Sequence, residues 1–210
     1  MNEPSSHRGI VLASTSPYRR RLLERLGIDI KAISPRCDED AYPDLPPLEL
    51  ARTLARIKAT SLDENAVGDA LVIGSDQVVD LEGEVLGKPG SVERACGQLR
   101  RLSGRSHRLI TAVAVHDLVT GQTHEDVDIH VLTMRELTDA QIRGYVAADT
   151  PLGCAGSYTI ERRGIALFST IEADPQLADN TAIEGLPLMR TLRLLRRHGW
   201  DVLQSGEEAL

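Results

Sequence analysis

A carboxylate, an amide and a lysine follow a buried apolar run within the segment LVIGSDQVVDLEGEVLGKP (71–89). The run ends at Gly74, which places Asp76 and Gln77 at the strand tip, and a short hairpin then returns Lys88. An aspartate at such a tip is suited to hold a divalent cation or to accept a proton from water, and the lysine can neutralise a phosphoryl oxygen. Taken alone, this pattern is more often a turn-forming aspartate beside a surface lysine.

A second polar group lies at the first predicted strand-to-helix turn, ASTSPYRRR (13–21). Ser14 to Ser16 precede a helix N-terminus, where free backbone N–H groups and the helix dipole favour an anion. Arg19 and Arg20 lie in the first helical turn, where the dipole disfavours cations, so a bound phosphate chain would compensate for them. The alternative on the turn alone is a plain serine cap with solvated arginines.

Three further residues invite a chemical interpretation. Glu39 belongs to an acidic loop, CDED, whose carboxylates match the oxygen ligands that Mg²⁺ prefers, although such loops are often only solvated. Lys58 is a solitary cation on an otherwise apolar helix, and its alternative is to extend to solvent. His107 enters a strand with no serine or cysteine partner, which favours a structural role. The sequence contains no phosphate-binding P-loop, dinucleotide fingerprint, zinc-protease motif or nucleophile elbow.

Hydrophobic periodicity predicts the elements that position these residues. The order of elements is α/β with one long antiparallel excursion, so we expect a mixed central sheet flanked by helices. Residues 124–134 alternate between apolar and polar, which predicts a solvent-facing side for that strand. The predicted strands are Gly9–Ala13, Ile28–Ser34, Ala70–Gly74, 108–116, 124–134 and 165–171, with a hairpin over Val78–Val85; the predicted helices are 16–27, 46–62, 91–104, 138–149 and 187–199.

The bulk properties restrict the class of protein. A chain of 210 residues, 41% hydrophobic and 26% charged, suits a single globular domain over 1–210, with a core of about 8–204 and short disordered tails that include Gly206–Leu210. A net charge of −7 argues against a nucleic-acid partner bound through a general basic surface. Without a 20-residue apolar run or an apolar leader, we expect no membrane partner and a cytoplasmic location. Three scattered cysteines indicate neither a disulfide framework nor a zinc site.

Several blocks of this sequence, in series, closely resemble the Maf family of nucleotide pyrophosphatases. They are LASTSPYRRRLLERLGI, LARIKA, IGSDQVV, GEVLGKP, LSGRSH, AGSY and EGLPL, in the same order from about residue 10 to residue 198. The resemblance implies an elongated mixed α/β fold with a cleft between two lobes, similar to the inosine triphosphate pyrophosphatases. It also implies hydrolysis of a nucleoside triphosphate between the α and β phosphates, a divalent metal (Mg²⁺ or Mn²⁺) and a homodimer.

The resemblance assigns roles to particular residues. Asp76 matches the proton acceptor of the family. Asp76 and Glu39 would also be the metal ligands, and together with the metal they would activate a water aimed at the α phosphorus. The other matching cleft positions are Ser14, Arg19, Lys58 and Lys88. The three cations among them would neutralise the triphosphate and the departing pyrophosphate.

Three positions bear on the base. Tyr18, Gln77 and Glu161 resemble the branch of the family that hydrolyses 7-methyl-GTP, a house-cleaning activity, whereas the branch acting on dTTP and UTP typically has Arg, Thr and Gln there. Methylation at N7 gives guanine a positive charge, which an aromatic face attracts, and Glu161 can accept hydrogen bonds from N1–H and the amine. Without the resemblance, packing for Tyr18 and solvation for Glu161 are the simpler interpretations. The loop 172–187 is longer than its counterpart in that branch and is expected to border the cleft.

Two other functions remain open from the sequence. One is a dTTP and UTP pyrophosphatase of the same family. The other is a nucleotide-binding regulator of cell division or septum formation with little activity, although the presence of Asp76, Glu39, Lys58 and Lys88 favours a competent enzyme. A basic face on residues 192–199 could bind acidic partners or a membrane, but on a terminal helix it is more often only solvated.

Overall fold

The computed structural model describes residues 8–62, 67–175 and 179–204. These ranges form seven strands and five α-helices, joined in part by short 3₁₀ turns. The strands are β1 (Gly9–Ala13), β2 (Ile30–Ile33), β3 (Ala70–Leu81), β4 (Glu84–Val85), β5 (Ser106–Asp117), β6 (Thr123–Met134) and β7 (Phe168–Ala173). The helices are α1 (Pro17–Glu24), α2 (Pro47–Thr60), α3 (Val92–Leu102), α4 (Asp139–Asp149) and α5 (Leu188–Arg197). The predicted tail at 206–210 lies outside the described residues.

The strands form one mixed sheet in the order β2-β1-β3-β5-β6-β7, with β4 added beside β3. β1 runs parallel to β2 and β3, while the long strands β3, β5 and β6 are antiparallel neighbours. Helices pack on the sheet, so the predicted mixed α/β architecture is confirmed. None of the helices in the described ranges combines the length and apolar character that a bilayer crossing requires.

An opening along one edge of β3 creates the cleft of this molecule. On one edge, β3 pairs with β5 continuously from Leu71 to Asp80. On the other edge, β1 ends its pairing at Ile73, and β4 begins its own only at Asp80. Within the described residues no strand pairs with this edge of β3 between those two points. Side chains from the middle of a buried strand therefore reach an open space.

Two apolar cores lie at opposite ends of the long strands. One core joins α1 and α5 to β1 and the first half of β3, and it includes Leu12, Leu23, Ile73, Leu195 and Trp200. The other joins α3 and α4 to the second half of β3, and it includes Val79, Leu81, Leu99, Ile142 and Tyr158. Each core holds one side of the cleft, which gives the two lobes that the resemblance implies.

Local sequence signals set the starts of the helices within one residue of the predicted ranges, whereas several helices end two or three residues earlier than predicted. The side chains of Ser16, Ser91 and Thr138 each accept a hydrogen bond from a backbone N–H in the first turn of α1, α3 and α4. Thr138 also forms a reciprocal capping box with Gln141. His107 is buried in the second core with its Nε2 3.0 Å from the Tyr158 hydroxyl, which confirms a structural position. Burial lowers the pKa of His107 to about 4.

β6 has one buried face and one more exposed face, as its alternation predicts, but the buried face is the polar one. Its polar residues Asp128 and His130 are buried, whereas Val131 on the opposite face is 38% exposed. The reason is a second layer of ionic groups. Arg190 of α5 donates from Nε to Asp128 at 3.0 Å, and the Asp179 backbone N–H donates to the same carboxylate at 3.0 Å. Alternation in a strand marks two faces, but it does not tell which face the rest of the chain covers.

The predicted strand 165–171 is wrong in its first half. Arg163–Leu167 forms a 3₁₀ turn, and β7 begins only at Phe168. A tight local turn competes with the strand: the Gly164 N–H donates to the Thr159 carbonyl at 3.1 Å. A Cβ on Gly164 would lie 2.3 Å from that oxygen, so only glycine allows this close approach.

Candidate active site

The open edge of β3 lies in a cleft of about 830 Å³. All nine residues that the sequence singled out as site residues line it, although they come from distant parts of the chain. They are Ser14, Tyr18, Arg19, Glu39, Lys58, Asp76, Gln77, Lys88 and Glu161. The structure brings these side chains together; the role of each one remains a prediction.

Asp76 lies in the middle of β3 and not at a strand tip, so that part of the sequence interpretation is wrong. β3 continues through Leu81, and Asp76 is opposite Ala112 of β5. The strand continues because Val79 is buried in the second core, while Val78, on the opposite face, is buried among the alanines of α2. Asp76 itself is only 7% exposed, and it meets solvent through the unpaired edge.

Lys58 reaches Asp76 from α2, which packs directly against β3. The approach depends on Gly74, because a Cβ there would lie 2.3 Å from the carbonyl oxygen of Ala55. Gly74 and Asp76 lie on the same face of the strand, since side chains alternate. The Lys58 Nζ donates to Asp76 Oδ1 at 2.6 Å and is only 5% exposed, so extension of this side chain to solvent is wrong.

Glu39 links this buried pair to the mouth of the cleft. It belongs to the predicted acidic loop, and it accepts from Lys58 Nζ at 2.6 Å through Oε1 and from Lys88 Nζ at 2.9 Å through Oε2. Burial alone would raise the pKa of Glu39, but the two lysines outweigh it and lower the pKa to about 2. Its carboxylate is therefore ionised throughout the neutral range.

Asp76 has the opposite balance. Burial raises the pKa of its carboxyl group above the ordinary range, and the charges of Lys58 and Arg19 offset only part of that effect. Within the described residues its hydrogen bond is made through Oδ1. The carboxylate is consequently a stronger base than an aspartate in water, while it stays close to two cations.

Arg19 turns from the first helical turn into the cleft. Its Nε donates to the Gly185 carbonyl at 2.8 Å, and its Nη1 lies 3.4 Å from Ser14 Oγ. Burial lowers the pKa of the guanidinium, although the acids Asp76 and Glu39 oppose this. Arg20 points elsewhere and pairs with Glu24 on the helix surface. Only one of the two first-turn arginines therefore belongs to the site.

Tyr18 and Glu161 form a second group in the same cleft, and the charged groups that act on them are not those of the cationic cluster. The guanidinium of Arg21 lies 5.2 Å from the centre of the Tyr18 ring, in a cation–π contact. Burial raises the pKa of the Tyr18 phenol, and the nearby charges of Cys154 and Glu161 contribute to the shift. Glu161 is exposed at the surface of the cleft, and partial desolvation there raises its pKa, with a smaller contribution from the charge of Glu184.

Gln77 fastens a loop as well as lining the cleft. Its Nε2 donates to Thr111 Oγ1 at 3.0 Å and to the Ala182 carbonyl at 2.9 Å. A carbonyl only accepts hydrogen bonds, so the amide nitrogen must face Ala182 and only Oε1 is left to accept from a ligand. Thr111 also donates to Ala182, at 3.0 Å.

Comparison with known proteins identifies the family of this chain. The family model described as Maf-like protein matches residues 9–198, nearly the whole chain. This chain belongs to the Maf-like family. It is 43% identical over 203 residues to the 7-methyl-GTP pyrophosphatase of Albidiferax ferrireducens, covering 97% of this chain and 99% of that relative. It is 46% identical over 194 residues to the 7-methyl-GTP pyrophosphatase of Bordetella pertussis, covering 92% and 94%.

Two solved structures show a distant likeness to this Maf-like protein. One is a dITP/XTP pyrophosphatase of Mycobacterium abscessus, with a TM-score of 0.40 and 15% identity, covering 61% of this chain and 75% of that one. The other is the Ham1 protein of Staphylococcus aureus, with a TM-score of 0.39 and 17% identity, covering 61% and 73%. The assignment to the family does not depend on either.

The carboxylates of Glu39 and Asp76 in this Maf-like protein suit a divalent metal whose coordination shell is completed by water and phosphate oxygens. The described residues contain no group of three or more His, Cys, Asp or Glu arranged to hold a metal. Glu39 and Asp76 nevertheless converge, because both accept from the same Lys58 ammonium. Mg²⁺ commonly takes one or two carboxylates and completes its shell with water and substrate phosphates, so this donor set fits such an ion.

Sequence reasoning missed part of the cleft wall. The 3₁₀ turn Asn180–Glu184 and the following Gly185 supply the carbonyls that hold Gln77 and Arg19, and Glu184 itself lines the cleft. The loop 172–187 was expected to border the cleft, and among its described residues Ile183, Glu184 and Gly185 do so. The EGLPL block marked this segment, but nothing in its spacing indicated which groups it holds.

Proposed function

We propose that this Maf-like protein hydrolyses 7-methyl-GTP to 7-methyl-GMP and pyrophosphate, and so removes a modified nucleotide from the pool. One observation carries the proposal: a single cleft joins a cationic cluster with a buried carboxylate at one end to an aromatic ring with a carboxylate at the other. The relatives named 7-methyl-GTP pyrophosphatase support the choice of substrate.

The cationic end suits a triphosphate. Arg19, Lys58 and Lys88 face the two carboxylates of Glu39 and Asp76, so the cluster has an excess of one positive charge. Buried and hydrogen-bonded cations neutralise developing negative charge more effectively than cations in water. In this arrangement the three cations bind the phosphate chain and stabilise the departing pyrophosphate.

Asp76 is the group that accepts the proton. A water molecule adds to the α phosphorus, its proton passes to the Asp76 carboxylate, and the bond between the α phosphorus and the bridging oxygen to the β phosphorus breaks. The bridging oxygen and its electron pair leave with pyrophosphate. The raised pKa of Asp76 makes it a better base for this transfer, and Lys58 at 2.6 Å fixes the position of its carboxylate.

We propose that a divalent cation, Mg²⁺ or Mn²⁺, is held by Glu39 and Asp76 together with substrate phosphates. When bound, such an ion supplies charge stabilisation to the phosphoryl oxygens. The resemblance to the family also supports a homodimer in the cytoplasm. Size-exclusion chromatography with light scattering tests the dimer.

The base end suits a cationic ring. An aromatic face attracts a positive charge, and Tyr18 already contacts the Arg21 guanidinium. Glu161 offers carboxylate oxygens to two guanine donors, whereas thymine and uracil offer one. An arginine in place of Tyr18 would repel the methylated base.

A panel of nucleoside triphosphates, assayed for pyrophosphate release with Mg²⁺ and with Mn²⁺, tests the proposal. We expect 7-methyl-GTP to give the highest kcat/KM and Asp76→Ala to abolish turnover. Faster hydrolysis of dTTP or UTP would replace the substrate with that of the other branch of the family. Nucleotide binding without measurable release of pyrophosphate would favour a regulator over an enzyme.

A further inference from the structure

Glu184 occupies a defined position beside the base end of the cleft. It ends the 3₁₀ turn Asn180–Glu184 and lines the same cleft as Tyr18 and Glu161. Its side chain is 34% exposed, so it meets both the cleft and solvent. Glu184 and Glu161 line the same cleft, and the charge of Glu184 contributes to the raised pKa of Glu161, so the two carboxylates repel each other there.

The turn that carries Glu184 is held at Ala182, in its middle, and at Gly185, directly after its last residue. The Ala182 carbonyl accepts from Gln77 at 2.9 Å and from Thr111 at 3.0 Å. The Gly185 carbonyl accepts from Arg19 at 2.8 Å and from Ser75 at 3.0 Å. The donors come from β3, β5 and α1, which are elements of the site itself. Glu184 is therefore fixed relative to the phosphate end of the cleft.

The charges around Glu184 leave it available to a ligand. Its ion pair with Arg25 measures 3.9 Å, and the Arg25 side chain is 62% exposed. A surface pair of this kind is worth little because water screens it. If a neutral base covered them, two neighbouring carboxylates would lose their hydration with nothing to replace it. A positively charged base would replace the lost hydration of both with an ionic attraction.

We propose that Glu184 and Glu161 form a carboxylate pair that selects nucleoside triphosphates whose base carries a positive charge, such as 7-alkylated guanines. This inference rests on the proposed function and deepens it. It makes the charge of the ring, and not the methyl group or the hydrogen-bonding edge, the property that the pair recognises. Hydrogen bonding at the guanine edge is common to methylated and ordinary GTP, so it does not separate the two.

The test compares 7-methyl-GTP with 7-methyl-7-deaza-GTP, which keeps the methyl group, the N1–H and the amine but has no positive charge. The readout is the ratio of the two kcat/KM values in the wild type, in Glu184→Gln and in Glu172→Gln, a matched control on the exposed surface of β7. We expect Glu184→Gln to reduce the ratio roughly fivefold, as loss of one partly exposed charge pair allows. The control should leave the ratio unchanged.

A ratio in Glu184→Gln equal to that of the wild type would overturn the inference even if 7-methyl-GTP is hydrolysed well. Glu184→Asp, which keeps the charge, should retain most of the preference and controls for loss of folding. Calorimetry that compares the affinities for 7-methyl-GMP and for 7-methyl-7-deaza-GMP separates this inference from the proposed hydrolysis, because it measures binding and not turnover. A charge preference that depends on Glu184 in binding supports the inference even where turnover of 7-methyl-GTP fails; equal affinities would refute it.

Discussion

Gly74 contributes no functional group, yet we expect Gly74→Ala to impair catalysis. The new Cβ would lie 2.3 Å from the Ala55 carbonyl oxygen and 2.4 Å from the Ala59 backbone nitrogen. Both contacts are backbone atoms of α2, so no side chain can rotate away. Restoring ordinary contact at about 3.4 Å requires α2 to recede from β3 by about 1 Å.

The displacement would move Lys58, because it belongs to the same helix and now lies 2.6 Å from Asp76. Overpacking of this kind costs about 1–3 kcal/mol, which lowers the melting temperature by roughly 2–12 °C in a chain of this size. A misplacement of about 1 Å in a catalytic group can cost about 100-fold in rate. We therefore expect kcat/KM to fall roughly 10- to 100-fold.

Gly97→Ala provides the control, because it makes the same chemical change in α3 where a new Cβ would meet nothing within 4 Å. Alanine should stabilise that helix by about 0.5–1 kcal/mol and leave activity unchanged. Calorimetry gives the melting temperature of each variant, and pyrophosphate release, assayed below that temperature, gives kcat/KM. If Gly74→Ala keeps the wild-type rate, close packing of α2 on β3 does not position Lys58.

Three further predictions concern the ionised network. Asp76→Asn should abolish turnover and also flatten the pH dependence of stability. Because the pKa of Asp76 is raised in the fold, its contribution to the free energy of unfolding is fully present below its unfolded pKa and is lost as the pH rises through the folded pKa. Melting curves recorded against pH would show this trend in the wild type and its loss in the variant. Lys88→Met should raise the pKa of Glu39 from about 2 toward its ordinary value of 4.5. Ionised Glu39 stabilises the fold, so the stability that the protein loses as the pH falls from about 5 to about 2 should become smaller in this variant. An unchanged loss in melting curves at acid pH would contradict this. Asp179→Ala should raise the KM for nucleotide several-fold with a smaller change in kcat. Buried Asp179 accepts hydrogen bonds from the backbone N–H groups of residues 181, 189 and 190, and it thereby holds the 3₁₀ turn that carries Glu184. Steady-state kinetics with equal effects on KM and kcat would refute this prediction.

Short-range signals made much of the fold predictable. Ser16, Ser91 and Thr138, the first residues of three predicted helices, cap those helices in the structure, because a cap depends only on the next three residues. The apolar run that includes Leu71 predicted a buried strand for the same reason. What the alternation of β6 left undetermined was which of its two faces a distant segment covers. Asp128 is buried because Arg190, 62 residues away, pairs with it.

The sequence by itself determined the types of the site residues and the local elements that carry them, since hydrophobic period and capping act within a few residues. It also identified the family, because ordered blocks are a property of the chain alone. Only the tertiary structure decided that Asp76 lies in mid-strand, that Lys58 is shared by Asp76 and Glu39, and that Glu184 reaches the cleft. Those facts follow from the ends of β1 and β4 along β3 and from the close packing at Gly74, which are contacts between segments far apart in the chain.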